Sequence, residues 1–508
     1  MKNKIVLGLL VLITSLALVA CSGNKESTPN DGANTGKDSQ KKSGMNEEGS
    51  DSMEDMAGHM DHDEEVSLNN STGENELKIP SLLEDENEKK GEVAYTVRAQ
   101  KGETEIFDGT KTKTLGYNGD FLGPVLRFNK GDKVKIKLIN DLDEEVTFHW
   151  HGLEVPGEVD GGPHASIKPG EEDEVEFKVT QEASTLWFHP HPEGSTAEQV
   201  YNGLAGLIYI EDDNSKDLNL PDKYGENDIP LVFQDKTFDD KKQLNYSAAM
   251  NEDGTVGNTS LINGTLNPKL TVNQEKVRLR LLNGSNARNY TFKLNTGDSF
   301  KQIATDGGLL NEPVKVNEIT LTPSERAEIV IDFSQLDTED ELALINDEDG
   351  STLLPFEVSD QKGEDSDLPD KMNDFSITDE EKNLPVTKKV EFFGMMDKVT
   401  INGKKFDKDR IDFTQKQGDT EVWEFYNKPD KMGGMIHPVH IHGAQFKILS
   451  RDGKRPPKNE QGWKDSFPLE PDETVKIAIQ FKDKGKYMLH CHILEHEDNG
   501  MMSQIKIE

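Results

Sequence analysis

The chain is expected to be an all-β protein built from three β-sandwich units, on three observations. A pattern of Asn-Gly turn, strand, short polar turn and alternating strand occurs three times. Its copies are YNGDFLGPVLRFNKGDKVKIKLIND from Tyr117, INGTLNPKLTVNQEKVRLRLLNGS from Ile262 and INGKKFDKDRIDFTQKQGDTEVWEFYN from Ile401. Each copy is followed by a second shared element: KPGEEDEVEFKV (168–179), LTPSERAEIVIDF (321–333) or LEPDETVKIAIQF (469–481). Apolar and polar residues that alternate between Gly, Pro and Asp turns mark half-buried antiparallel strands, and one sandwich unit used three times is the economical reading. The length agrees, since 508 residues allow roughly three domains of about 150 residues each.

The N-terminus comes first. Lys2 and Lys4 precede an apolar run from Ile5 to Ala20. That run is short for a spanning helix, which needs about 20 residues, and fits the core of a secretory signal. Leu18-Val19-Ala20-Cys21 resembles the lipobox of bacterial lipoproteins. The resemblance implies cleavage before Cys21 and a lipid anchor on its sulfur. Residues 1–20 are then the signal, and the mature chain is extracytoplasmic and membrane-anchored at the bacterial cell surface. A plain signal peptide cut elsewhere is the alternative.

Residues 21–85 are rich in Ser, Asn, Asp, Glu and Lys, and no aromatic residue occurs before Tyr95. Such a segment cannot bury enough apolar surface to offset its ordering entropy and is expected to be a disordered, acidic tether. Within it, His59 and His62 lie among Met53, Met56 and Met60, with Met45 upstream. Thioether sulfur is soft and selects Cu(I), so a Cu(I)-collecting segment and a plain tether are both open. The formal net charge of −38 disfavours nucleic acid as a partner and suits a soluble protein that tolerates cations.

The repeats divide the rest into a first domain at 86–225, a second at 226–365, a charged linker at 366–387 and a third domain at 388–508. They are chemically unequal. Ten of the 13 histidines fall in four clusters: HWHG (149–152), HPH (189–191), HPVHIHG (437–443) and HCHILEHEDNGMM (490–502). All four lie in the first and third domains. Region 226–387 has no histidine, so the middle domain is expected to be a metal-free spacer. Outside the clusters, His164 is expected on an exposed loop.

A strand alternates faces with period two, so both imidazoles of His-X-His point the same way, about 6.6 Å apart along the strand. The pairs 149/151, 189/191, 440/442 and 490/492 supply eight imidazoles. A tetrahedral zinc site takes at most four protein ligands, so eight imply several ions close together. Cys491 faces away from His490 and His492 and can bind a separate ion. It is the only cysteine besides Cys21, and two His, one Cys and a weak axial Met make a blue-copper site. His437, His496 and Met501 are the nearby candidates.

With these motifs in order, residues from about 90 to 508 resemble the multicopper oxidases, the family of laccases, bilirubin oxidases and bacterial cuprous oxidases. HWHGLEVPGEVDGGP is most similar to the bacterial copper-resistance branch. The resemblance implies three cupredoxin-like Greek-key domains and four copper ions: one type 1, one type 2 and two type 3. By family role, His437, Cys491, His496 and Met501 would hold type 1 copper, and His149 and His440 type 2. His151, His189 and His492 would hold one type 3 ion, and His191, His442 and His490 the other. Electrons would enter at Cys491 and reach His490 and His492 along the backbone, and O₂ would be reduced to water. Asp160 and Glu497 match positions where the family places proton-relay carboxylates.

The implied activity is oxidation of Cu(I), of phenols, or of both by O₂, in the service of copper tolerance, with no oligomer required. Met395, Met396, Met432 and Met435 are candidates for docking Cu(I), with core packing as the rival reading. Gly433 and Gly434 stand where some cuprous oxidases of this family carry an acidic residue. The alternatives are a laccase with an organic natural reductant and a copper-buffering lipoprotein without turnover. A copper nitrite reductase ranks last, because it does not need eight cluster imidazoles.

Overall fold

The computed structural model describes residues 66–508, apart from 88, 252–253, 337–340, 364–366 and 432. The signal run, Cys21, the Met/His segment 45–62 and Met432 therefore lie outside the described residues. Among the described residues, no helix is long and apolar enough to cross a membrane.

Three β-sandwiches follow one another. In the first, one sheet runs in the order Thr110–Tyr117, Glu92–Phe107, Lys133–Asn140, Glu172–Lys178. The facing sheet runs Val125–Asn129, Gly206–Glu211, Ser184–His189, His149–His151. Sequence alternation becomes alternation of burial. In Lys133–Asn140 (KVKIKLIN), Val134, Ile136 and Leu138 turn inward while Lys133 and Lys135 stay exposed. The middle domain pairs a six-stranded with a seven-stranded sheet, and the third pairs two five-stranded sheets. Each domain encloses its own apolar core.

Two stretches depart from the sequence reading. Residues 66–85, expected in the disordered tether, form an ordered strap. Leu68 and Leu77 are buried in the middle domain's core, Asn75–Glu76 pairs with Pro268–Gln274, and Leu82 bridges Val125 of the first domain. A few leucines, spaced to reach existing cores, outweigh the polar average of the segment. The expected linker 366–387 is also more than a connection. Met372 is buried in a cluster with Leu220 and Ile303, Phe375 packs edge-on against Trp463, and the third domain's first strand, Val386–Phe393, begins inside it.

The histidine-bearing ends of domains one and three face each other. The short helix Leu494–Asp498 of the third domain locks this junction. Its Asp498 carboxylate accepts the backbone N–H groups of Thr196 and Ala197 at 3.0 and 2.9 Å, at the start of helix Thr196–Tyr201 of the first. Asn286, from the middle domain, donates to Ala197 O and Glu495 Oε1.

Candidate metal centres

Strand register assembles the clusters. In the first domain His149 pairs with His189 across the sheet; in the third, His440 pairs with His490 and Val439 with Cys491. Alternation then separates the chemistry. Trp150, between His149 and His151, packs into its own domain's core against Phe177 and Phe188. Cys491, between His490 and His492, likewise turns into the third domain's core. The flanking imidazoles all point into the junction, where His149 stacks on His442 and His151 on His440, with ring centroids 3.7 and 3.5 Å apart. Two of the four His-X-His pairs, 149/151 and 440/442, are followed by a glycine with positive φ, Gly152 and Gly443. A Cβ on Gly152 would lie 2.5 Å from Asp465 Oδ2, and one on Gly443 would strike the Tyr487 ring.

Eleven of the twelve expected metal ligands fall into compact groups: His149, His151 and His440; His151, His189 and His492; His191, His442 and His490; His437, Cys491 and His496. All are buried. In the last group, Cys491 Sγ lies 3.5 Å from His437 Nδ1 and 3.7 Å from His496 Nδ1. The twelfth, Met501, is fully buried beside them. Its backbone N–H donates to His496 O at 2.8 Å and its carbonyl accepts from Cys491 N–H at 3.1 Å.

The donor set suits cations. His442 Nδ1 lies 2.7 Å from Asp160 Oδ2, and His191 Nδ1 and His490 Nδ1 lie 3.2 Å from Glu497 Oε1 and Oε2. With Nδ1 carrying the hydrogen, each Nε2 is a lone pair. Yet His490 Nε2 stands 3.1 Å from His442 Nε2 and 3.3 Å from His191 Nε2. Protonating His442 or His191 is disfavoured. Burial first, and neighbouring imidazoles second, hold His442 well below its ordinary pKa; burial holds His191 at about 3, although Glu497 pulls it upward. Nε2 of His149, His440 and His496 and both ring nitrogens of His492 are buried without a protein partner. Neutral imidazoles with converging lone pairs, next to a cysteine whose thiol burial pushes well up when metal-free, fit copper.

Asp160 and Glu497, the expected relay carboxylates, each lie against two imidazoles of the cluster, with Asp160 O also accepting from His149 Nδ1 at 2.9 Å. His164 is exposed, as expected, though its ring is hydrogen-bonded with Gln504. Met396 is 48% exposed on a turn whose carbonyl accepts from Asn499, three residues beyond His496. Met435 packs half-buried on the third core. Sequence reasoning missed Trp187, stacked on His189 at 4.2 Å. It also missed Asp465, whose carbonyl accepts from His440 Nδ1 at 2.8 Å, and Arg326, which binds Asp465 from the middle domain.

Comparison with known proteins agrees with this geometry. Three family models, each described as multicopper oxidase, match residues 98–215, 212–346 and 378–508. The chain is 54% identical to multicopper oxidase mco of Staphylococcus haemolyticus (strain JCSC1435), over 89% of this chain and 97% of the relative. It is 34% identical to cell division protein FtsP of Escherichia coli (strain K12), over 85% and 92%. Among solved structures, a laccase from Pediococcus acidilactici superposes with a TM-score of 0.83 at 44% identity, covering 87% of this chain and 96% of that one. A multicopper oxidase from Campylobacter jejuni, described as a metallo-oxidase, gives 0.75 at 29% identity, covering 88% and 98%. The three sandwiches are thus cupredoxin-like Greek-key domains, as the sequence led one to expect.

Proposed function

The chain belongs to the multicopper oxidase family, and on that premise we propose that it couples one-electron oxidation of Cu(I) and of phenols to the four-electron reduction of O₂ to water, in the service of copper tolerance. The carrying observation is the covalent link between two kinds of site. Cys491, in its own group with His437 and His496, is bonded on either side to His490 and His492, which belong to two of the three imidazole groups. Bound copper would supply the one-electron steps and the pooling of electrons for O₂. His437, Cys491, His496 and Met501 would hold type 1, His149 and His440 type 2, and the groups His151/His189/His492 and His191/His442/His490 the type 3 pair. Asp160, hydrogen-bonded to His442 Nδ1, and Glu497, 3.2 Å from Nδ1 of His191 and of His490, are the carboxylates suited to pass protons to the reducing oxygen.

The likeness to a protein described as a metallo-oxidase supports the Cu(I) half of the reading, as does exposed Met396 beside the helix of His496; the likeness to a laccase supports the phenol half. The likeness to a protein named for cell division means that the fold alone does not imply turnover. The complete ligand set argues for it. An oxygen electrode tests this on copper-loaded protein. Oxygen uptake is expected with Cu(I) and with a phenol, at one O₂ per four electrons and without released peroxide. Copper bound without oxygen uptake would establish the buffering role instead, and uptake with the phenol alone would make the natural reductant organic.

The location proposed is extracytoplasmic, anchored by lipid on Cys21. Cys21→Ala should move the protein from the membrane to the soluble fraction with its oxidase activity intact. A variant that stays membrane-bound to the same extent sinks the lipobox reading.

A further inference from the structure

We propose that Arg326, on the histidine-free middle domain, is a positioning residue of the imidazole cluster: through Asp465 it holds His151 in the tautomer that presents Nδ1, the reverse of its neighbours. The inference rests on the functional reading only in taking the cluster as a copper site.

Five imidazoles share one orientation. Nδ1 of His149, His189, His440 and His490 faces the backbone carbonyls of Asp160, Pro190, Asp465 and Cys491 at 2.8–3.1 Å. Nδ1 of His442 faces the carboxylate of Asp160 at 2.7 Å. An acceptor at Nδ1 fixes the hydrogen there and leaves Nε2 as the ligating atom. His151 is inverted. Its Nε2 lies 3.2 Å from Asp465 Oδ1 and from Ser466 Oγ, while its Nδ1 points at His189 Nε2, 3.3 Å away. With Nε2–H donated to the carboxylate, Nδ1 is the only atom His151 can offer the cluster.

Asp465 can play this part only if its carboxylate is pinned. It is fully buried, and Arg326 forks onto both of its oxygens, Nη1 to Oδ1 at 2.8 Å and Nη2 to Oδ2 at 2.6 Å. Gln445 Nε2 adds a third bond, to Oδ2 at 2.7 Å. Arg326 is fully buried too, and the same guanidinium donates through Nε to Thr185 O at 3.1 Å and through Nη1 to Ser324 O at 2.9 Å. Thr185 lies on the strand that carries His189. One side chain of the middle domain thus ties together the strand of His189 and the residue that orients both His151 and His440. Gly152 is the matching concession, since any larger residue there would press on Asp465 and Arg326. A planar fork that spans two oxygens is particular to arginine, so the middle domain is a structural part of the cluster and not a spacer.

The test reads the tautomer directly in metal-free protein, by long-range ¹⁵N–¹H NMR of ring-labelled histidine, with His151 assigned through His151→Gln. Wild type should show His151 protonated at Nε2, and Arg326→Met should lose that signature. On titration with copper, Arg326→Met should bind the cluster ions about 10- to 100-fold more weakly, while the Cys491 site keeps its blue band and affinity. Arg326→Lys keeps the buried charge and with it the fold, yet an ammonium cannot span both oxygens. It should shift both readouts in the same direction. An unchanged His151 tautomer in either variant, or an equal loss of copper at the Cys491 site, would overturn the proposal. Neither readout depends on turnover, so a wild type that binds copper but consumes no oxygen overturns the functional reading alone.

Discussion

Cys491→Ser is expected to abolish the blue colour and oxygen uptake together while the chain still folds and binds copper at the imidazole cluster. The thiol sulfur is the only soft anionic donor among the described residues of its group, lying 3.5 and 3.7 Å from His437 Nδ1 and His496 Nδ1. A serine oxygen is hard, less polarisable and protonated, so it cannot replace thiolate at a blue-copper site. The covalent route from that site to His490 and His492 begins at the same atom, so electron entry fails along with the colour. The structural cost is bounded. Cys491 sits in the third domain's core, and an unpartnered hydroxyl there costs about 1–3 kcal/mol, against a stability of about 5–15 kcal/mol for a typical domain. Copper analysis, visible absorbance and an oxygen electrode decide the matter. Copper content should fall by one ion per chain. A variant that stays blue would mean that Cys491 is not the blue-site ligand. A variant that loses the cluster copper as well would mean that the two sites are not separable in the way the strand alternation requires.

How much of this was legible beforehand depends on the range of the interaction. The His-X-His pairs and the turn of Cys491 away from its flanking histidines could be read because period two is a local property of strands, as Trp150 and Cys491 in their cores bear out. The pairings of His149 with His189 and of His440 with His490 are long-range, and the local pattern does not specify them. Asp465 and Arg326 carried no such signal. Asp465 is 314 residues from His151 and 139 from Arg326, and WKDSFP reads as an ordinary strand entry. The strap at 66–85 was hidden differently. Leu68 and Leu77 are too few to alter the segment's composition, and what orders them is a core built by residues 229–356. Composition reports what a segment can bury alone, not what it can lend to a neighbour.

The metal-free protein is expected to be far more acid-labile than the copper-loaded one. Eight buried histidines, His151, His189, His191, His437, His440, His442, His492 and His496, are held below their ordinary pKa. Burial is the leading cause in every case, and repulsion between neighbouring imidazoles adds to it in most. The shifts reach about 3 for His191 and His437 and about 4 for His496. In the unfolded chain each imidazole titrates near 6.5. Between that value and the folded one the unfolded state holds more protons, so stability rises with pH and is lost as pH falls below about 6.5. Each neutral imidazole contributes a slope of about 1.4 kcal/mol per pH unit, and eight together give a slope on the order of 10 kcal/mol per unit, as large as the whole stability of a typical domain. The clusters would therefore open to water before the full slope develops, at the junction of domains one and three. Copper removes the effect by occupying the lone pairs that protons would take, until acid competes the metal away. Thermal unfolding of metal-free and copper-loaded protein at pH 7.5 and 5.5 provides the check. The metal-free midpoint should fall by about 10 °C or more, the equivalent of several kcal/mol, and the loaded midpoint by much less. Parallel shifts in the two forms would mean that the buried imidazoles do not control acid stability, and a metal-free midpoint indifferent to pH would mean that the clusters are already open to water without their ions.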